Sequence, residues 1–157
     1  MNDPGGSMAG FTLLEVVCGL GVVALMAAVL LPAMSRQTSR PRLEAYALEA
    51  AALLKADRNA AINRGRAVES RIDVQARTIR SGTSGQVVRL PEDVRLETVL
   101  PRNCVDRPAF DTISFFGSGM SCGGIVALAH GEAGYEIRVN WLTGRIEVAS
   151  NAVLTRP

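Results

Sequence analysis

The distribution of apolar residues divides the chain into segments with different periods. Between residues 11 and 34 almost every side chain is apolar, without the alternation expected of a half-exposed helix or strand. A helix rises about 1.5 Å per residue, so residues 11–31 would reach roughly 30 Å, the thickness of the hydrocarbon core of a bilayer. We therefore predict a transmembrane helix over residues 11–34.

Glu15 is the only acidic or basic side chain in this apolar run. A carboxylate at membrane depth is costly unless it is neutralised or paired, so we expect Glu15 to have a partner. The alternative is an acid near the helix end that reaches the interface. An ordinary signal peptide is not indicated, because the run is too long and no small-x-small cleavage site follows it. Pro32 ends the uniformly apolar part, and it either kinks the helix or marks the membrane edge.

A helical period of 3.6 residues follows in residues 43–63, which are rich in strong helix formers. The apolar positions near this period are Leu43, Ala47, Ala50, Ala51, Leu54, Ala61 and Ile62. The charged positions fall mostly elsewhere and are Glu44, Glu49, Lys55, Asp57 and Arg58. Pro41 suits the first turn, with Ser39 or Arg40 near the cap, and Gly65 suits the end. We therefore predict an amphipathic helix within residues 35–66.

Beyond this helix the period changes to two. Val68, Ser70, Ile72 and Val74 alternate with polar residues, which is typical of a half-buried antiparallel strand. Further strands are predicted at 78–80, 86–90, 94–99, 112–116, 125–129, 135–141 and 145–149. Thr143-Gly144 is predicted to form the hairpin turn between the last two strands. The soluble part is thus predicted to be α+β, a helix followed by an antiparallel β domain at residues 67–157.

Composition and charge narrow the function classes. The 157 residues are 48% hydrophobic and 20% charged, and the net charge is +2, so a single small globular domain is expected and a polyanion-binding protein is not indicated. His130 is the only histidine and is expected in a surface loop. The loop from Gly117 to Gly124 lacks the Gly-Lys-Ser/Thr end of a phosphate-binding loop and reads as a flexible inter-strand loop. No catalytic residue, cofactor or metal site is predicted.

The start of the apolar run resembles a known family. Gly10-Phe11-Thr12-Leu13-Leu14-Glu15-Val16-Val17 is similar to the cleavage and methylation signature of type IV prepilins and type II secretion pseudopilins. The resemblance implies that a prepilin peptidase removes residues 1–10 as a leader, cutting between Gly10 and Phe11, and methylates the new N-terminal Phe11. It also implies that Glu15 pairs with the N-terminus of an adjacent subunit in a filament.

The charges on either side of the apolar run differ from the usual family pattern. The leader holds Asp3 and no Lys or Arg, unlike the usual family leader, and Met8 is an alternative start. Arginines after the span would by charge alone place the C-terminal side in the cytoplasm. The resemblance implies the opposite orientation, because it puts Gly10 on the cytoplasmic face of the inner membrane and the C-terminal domain in the periplasm.

The C-terminal half resembles the H-type minor pseudopilins of the type II secretion system. The resemblance rests on residues 113–125, on residues 135–145 and on Asp57-Arg58-Asn59-Ala60-Ala61 in the helix. It implies a pilin-like fold, in which a long N-terminal helix, membrane-spanning in its first half and amphipathic in its second, packs on the β domain. Trp141 is expected as a core or edge anchor.

The three cysteines are assigned by environment. Cys18 lies in the apolar run and is expected to pack as a small hydrophobe. Cys104 and Cys122 lie in the domain that the resemblance places in the oxidising periplasm, where they either form a disulfide or remain two free, buried thiols. Metal binding is disfavoured because the two cysteines are far apart in sequence and have no nearby histidine.

Two functions follow from the resemblance. The first is a minor pseudopilin, a structural subunit of a periplasmic filament that helps folded proteins cross the outer membrane. Its partners would be the prepilin peptidase, the major and other minor pseudopilins, the inner-membrane assembly platform and membrane lipid. The second is a minor pilin of similar fold that binds DNA through arginines, either Arg36, Arg40 and Arg42 or Arg77 and Arg80. Acids nearly balance bases and no aromatic-basic stripe is present, which argues against nucleic acid. An enzyme anchored by an uncleaved helix is the third alternative.

Overall fold

The computed structural model describes residues 12–30, 38–105 and 107–152, and the chain divides into two compact units, residues 1–37 and 38–157. The first unit contains helix α1, Leu13–Leu30. The carbonyl oxygen of Thr12 accepts hydrogen bonds from the N–H groups of Glu15 and Val16 at 3.0 and 3.3 Å and so begins the helix. Within the described ranges, no helix is both long enough and apolar enough to cross a membrane.

The second unit begins with helix α2, Arg40–Arg64. Its N-cap is Ser39, and a proline stands in its first turn. Gly65 ends the helix at φ +61°, a left-handed conformation that costs glycine little. A helix is thus present inside the predicted range of residues 35–66, and residues 31–37 lie outside the described residues. Its buried residues are Leu43, Ala47, Ala50, Ala51, Leu53, Leu54, Asp57 and Ala61.

Ten strands follow α2 in the described part of the chain. They are β1 Val68–Asp73, β2 Thr78–Arg80, β3 Val87–Arg89, β4 Arg95–Val99, β5 Asn103–Cys104, β6 Arg107–Pro108, β7 Thr112–Phe115, β8 Gly124–His130, β9 Ala133–Val139 and β10 Ile146–Ala152. They form a sheet of order β3-β2-β1-β7, here called sheet A, a sheet of order β10-β9-β8-β4, here called sheet B, and the small hairpin β5-β6. All pairs are antiparallel. The α+β class and the antiparallel sheet are confirmed.

The core lies between α2 and the inner faces of the two sheets. β1 has the expected alternation: every second side chain, counted from Val68, faces inward. In sheet B the inward positions include Val126, Leu128 and Ile137, all essentially inaccessible to solvent. Burying each such side chain contributes about 1.5–3 kcal/mol, so this continuous cluster is the main stabilising feature of the unit.

Several individual predictions are corrected. Asp57, expected on the exposed face of the helix, is fully buried, whereas Ile62, expected on the buried face, is 38% exposed. Trp141, expected as a core or edge anchor, is 62% exposed. Val74 lies beyond the end of β1 and is also exposed. The hairpin β5-β6 was not predicted, because strands of two residues carry no readable period.

Candidate assembly site and the helix contacts of the β domain

Glu15 is the only residue of the predicted assembly site that the structure describes. It is exposed in the first turn of α1, and its N–H is also within 3.3 Å of the Thr12 hydroxyl. A carboxylate there is favoured by the positive end of the helix dipole. No ion pair involves Glu15 within the described ranges. Gly10 and Phe11, the predicted cleavage and methylation residues, lie outside the described residues.

A buried polar cluster surrounds Asp57 on α2. Its two carboxylate oxygens accept hydrogen bonds from the hydroxyls of Ser70 and Ser81, both at 2.6 Å. They also accept the backbone N–H groups of Gly82 and Thr83, at 3.0 and 3.3 Å. A buried carboxylate is tolerated when donors replace its hydration, and here four donors do so. The cluster ties the helix to β1 and to the loop between β2 and β3.

Arg58, the next residue on α2, holds the opposite side of the domain. Its Nη2 donates to the carbonyl oxygen of Thr143 at 2.9 Å, in the turn between β9 and β10. Gly144 follows at φ +63°, and a Cβ there would collide with the carbonyl oxygen of Gly119 and lie 2.7 Å from Arg58 Nε. The predicted hairpin turn at Thr143-Gly144 is confirmed, and its glycine is required for close approach as well as for its backbone angle.

A second polar cluster lies where α2 begins. The side chain of Asp93 accepts the N–H of Thr38 at 2.7 Å and the Thr38 hydroxyl at 3.0 Å. His130, the last residue of β8, has Nδ1 2.8 Å from the Asp93 carbonyl oxygen and 3.6 Å from its carboxylate. The backbone hydrogen bond from Thr38 lowers the pKa of Asp93 below its ordinary value of 3.8, against the effect of burial. His130 is therefore half-buried at a strand end, rather than in an open loop as predicted.

Two charge pairs lie on sheet B, each formed by residues two apart in sequence. Arg138 donates from Nε and Nη2 to the two carboxylate oxygens of Glu136, at 2.8 and 3.1 Å. These hydrogen bonds lower the pKa of Glu136 and raise the pKa of Arg138. Arg145, just before β10, and Glu147 in β10 form a similar pair at 2.9 Å.

Cys104 and Cys122 are joined by a disulfide, with their Cα atoms 5.7 Å apart. The bond links the β5-β6 hairpin to the segment between β7 and β8. That segment is itself held by hydrogen bonds, since Cys122 N donates to the Ser114 carbonyl oxygen and Ser121 N to that of Trp141. It is a hydrogen-bonded connector between the two sheets rather than the flexible loop that was predicted. Cys18 remains free and is exposed on α1.

A groove of about 640 Å³ opens beside this connector. Its apolar walls include Val99, Leu100, Ile125 and Trp141, and its charged walls are Arg138, Arg145 and Glu147. Elsewhere in the described ranges no group of three or more His, Cys, Asp or Glu side chains could hold a metal ion. The groove was not predicted, because it is formed by the ends of four separate elements.

No protein-family model matches the chain. The type II secretion system protein H of Xanthomonas campestris pv. campestris is 27% identical over 139 residues, covering 88% of this chain and 82% of that protein. The minor pseudopilin EpsH from the type 2 secretion system of Vibrio cholerae is similar in structure, with a TM-score of 0.51 and 14% identity over 73% of this chain and 98% of that one. The predicted resemblance to the H-type minor pseudopilins is confirmed.

A second structure has the same fold. The type IV minor pilin FimU of Pseudomonas aeruginosa aligns with a TM-score of 0.50 and 17% identity over 71% of this chain and 91% of that one. At these identities the two structures show the pilin-like fold alone, and the similarity to protein H supports the predicted minor pseudopilin role. Asp57 and Arg58 are two of the helix residues on which the resemblance rests. Asp57 binds the loop between β2 and β3, and Arg58 binds the turn between β9 and β10.

Proposed function

We propose that this chain is a minor pseudopilin of the type II secretion system, a structural subunit of a periplasmic pseudopilus that helps export folded proteins across the outer membrane. The observation that carries the proposal is the sequence similarity to a protein H over 88% of the chain, combined with the pilin-like fold. The role is one of assembly and needs no cofactor. Its partners are the major and other minor pseudopilins and the inner-membrane assembly platform.

Residues 11–34 anchor the chain in the inner membrane, with the β domain in the periplasm. The apolar composition of this run supports the anchor, as does the exposure of large side chains on α1 such as Leu13, Leu20 and Leu25, which are 84%, 65% and 70% exposed. Apolar surface of this extent is stable when lipid or neighbouring helices cover it. Membrane lipid is therefore a further partner.

The prepilin peptidase cleaves after Gly10 and methylates Phe11. The test is intact-mass analysis of the chain purified from the membranes of cells with active peptidase, which should show loss of residues 1–10 and addition of one methyl group. Gly10→Val should block cleavage, because a branched side chain crowds the scissile bond. Gly19→Val is the matched control, since a Cβ at Gly19 meets nothing within 4 Å, and it should be processed normally. An unprocessed wild-type chain would contradict the proposal.

Glu15 pairs with the N-terminal ammonium of a neighbouring subunit, an attraction that low-dielectric surroundings strengthen. Glu15→Leu should insert and be processed at least as well as the wild type, because a lone carboxylate disfavours insertion. It should fail to crosslink to other pseudopilins through engineered cysteines, and secretion should fall with it. Glu15→Asp keeps the charge and should retain part of the crosslinking and part of the secretion. Normal crosslinking and secretion with Glu15→Leu would show that the carboxylate is not used.

A further inference from the structure

The turn between β9 and β10 lies far along α2 from Ser39, where the helix begins. It is bound by Arg58, and the helix from Ser39 to Arg58 extends roughly 30 Å at 1.5 Å per residue. The turn is rigid: Asn140 Oδ1 accepts the N–H groups of Leu142 and Thr143 at 3.0 and 2.9 Å, and Asn140 N donates to the Arg145 carbonyl oxygen at 2.9 Å. It therefore holds its exposed residues in fixed positions.

One side of this turn is the apolar groove described above. Trp141 is 62% exposed and Val99, across the groove, is 68% exposed. The Trp141 backbone is fixed by the hydrogen bond from Ser121, so the tryptophan is not free to fold into the core. Preformed, exposed aromatic residues in a groove are typical of the energetic centres of protein interfaces.

The other side of the turn is a cleft with an excess of positive charge. It is lined by Lys55, Arg58, Asn59, Arg145 and Glu147, among others, and Glu147 is its only acidic residue. Glu147 is already paired with Arg145 at 2.9 Å, whereas Arg58 has no acidic partner within the described ranges. Lys55 and Arg58 therefore leave the cleft with positive charge that no acidic side chain within the described ranges neutralises, and a carboxylate is the group that this charge favours.

We infer that the apolar groove and the cationic cleft on the two sides of the β9–β10 turn together bind a segment of another pilin-like subunit that carries an apolar side chain and an acidic one. The inference rests on the proposed function, because a subunit stacked beyond this end of the domain would meet the turn. The groove would take the apolar side chain against Trp141, and the cleft would take the carboxylate between Lys55 and Arg58.

Two other occupants fit less well. A second copy binding through the same surface would bring two cationic clefts together, which like-charge repulsion disfavours. A single-stranded nucleic acid could stack on Trp141, but Arg138 and Arg145 are each bound to a carboxylate, which leaves too few free cations for a run of phosphates.

The test places a photo-crosslinking amino acid at Leu142, which is 55% exposed, in the full chain expressed with tagged copies of the other pseudopilins. Crosslinking to one of them is expected. Trp141→Ala, and separately the double change Lys55→Glu with Arg145→Glu, should each lower the crosslinked fraction at least about tenfold. An unchanged thermal unfolding midpoint would show that the variants remain folded. Reversing the charge of the contacted acid on the partner should restore crosslinking to the double variant.

Matched controls come from the same domain. Arg95 pairs with Glu97 on β4 much as Arg145 pairs with Glu147, and Phe110 is 71% exposed, so Arg95→Glu and Phe110→Ala should leave crosslinking unchanged. Crosslinks only to a second copy, to a secreted protein or to a labelled oligonucleotide would overturn the inference, as would no effect of Trp141→Ala. If Gly10 is processed and α1 crosslinks to other pseudopilins while Leu142 does not, the docking surface alone is wrong. Failure of processing and of every crosslink would overturn the proposed function itself.

Discussion

The hydroxyl of Ser70 on β1 lies 2.6 Å from a carboxylate oxygen of Asp57 on α2, and both residues are completely buried. With Ser81 at the same distance on the other oxygen, this contact fixes how the helix sits on sheet A. The domain therefore depends on one charged residue that makes no contact with solvent.

Asp57→Ala should destabilise the domain strongly. It leaves two hydroxyls and two backbone N–H groups without their acceptor in a buried site, so we expect a loss of at least about 3 kcal/mol in the free energy of unfolding. Urea unfolding of the full chain followed by circular dichroism measures it. Asp73→Ala is the control, because Asp73 accepts a single exposed N–H, from Ala76, and should cost about 1 kcal/mol or less. Equal effects of the two changes would contradict the role of the buried cluster.

The Asp93 carboxylate should make stability depend on pH in the acid range. Its folded pKa is below the ordinary value of 3.8, so its contribution is complete above that value and is lost as the pH falls through the folded pKa. The difference in unfolding midpoint between the wild type and Asp93→Asn should therefore be present at about pH 5 and shrink as the pH falls below 3.8. Glu132→Gln is the control, because Glu132 is exposed and forms no ion pair within the described ranges; it should leave the curve unchanged. A difference that does not shrink below pH 3.8 would refute the assignment.

Substitutions at Gly144 and Gly131 distinguish the energetic cost of close packing from that of backbone strain. Both have positive φ, +63° and +56°, but a Cβ at Gly131 meets nothing within 4 Å, whereas one at Gly144 collides with Gly119 and crowds Arg58. Gly131→Ala should therefore cost about 1–2 kcal/mol from the left-handed conformation alone, and Gly144→Ala should cost clearly more. Thermal unfolding of the two variants compares them directly. Similar losses would mean that the contacts at Gly144 relax without cost.

The Cys104–Cys122 disulfide closes a loop with a sequence separation of 18 residues. Constraining the unfolded chain in this way should stabilise the domain by about 3 kcal/mol in the loop-entropy estimate. Thiol labelling after denaturation without reductant should find one reactive cysteine, Cys18, and all 3 cysteines after reduction. Three labelled thiols without reductant would exclude the bond. Changing both Cys104 and Cys122 to serine should lower the unfolding midpoint without changing processing at Gly10.

Local periodicity was enough to predict most of the fold. The alternation from Val68 onward gave β1, the alanine-rich segment gave α2, and Gly65 and Gly144 marked a helix end and a turn, because each of these depends on neighbours in sequence. The two sheets and their strand orders needed contacts between distant residues, which a single sequence does not contain.

Asp57 shows why the buried cluster was missed. Charge favours the surface, and that rule outweighed the spacing, which places Asp57 three residues after Leu54 and four before Ala61, both buried. The spacing predicted the burial of Asp57 correctly. The serine hydroxyls and loop N–H groups that make this burial possible come from positions 13 to 26 residues away, so local sequence did not reveal them. Trp141 was misassigned for the reverse reason, since its size favours burial while the turn that follows it keeps it outside.

The adjacency of Asp57 and Arg58 has a mechanical consequence. Within one turn of α2, the first residue is bonded to the loop of sheet A and the second to the turn of sheet B. A force along the helix axis would thus act on both sheets at the same time. It would not separate one sheet from the other strand by strand. A domain attached in this way should transmit a displacement of its helix to its far end as a nearly rigid body.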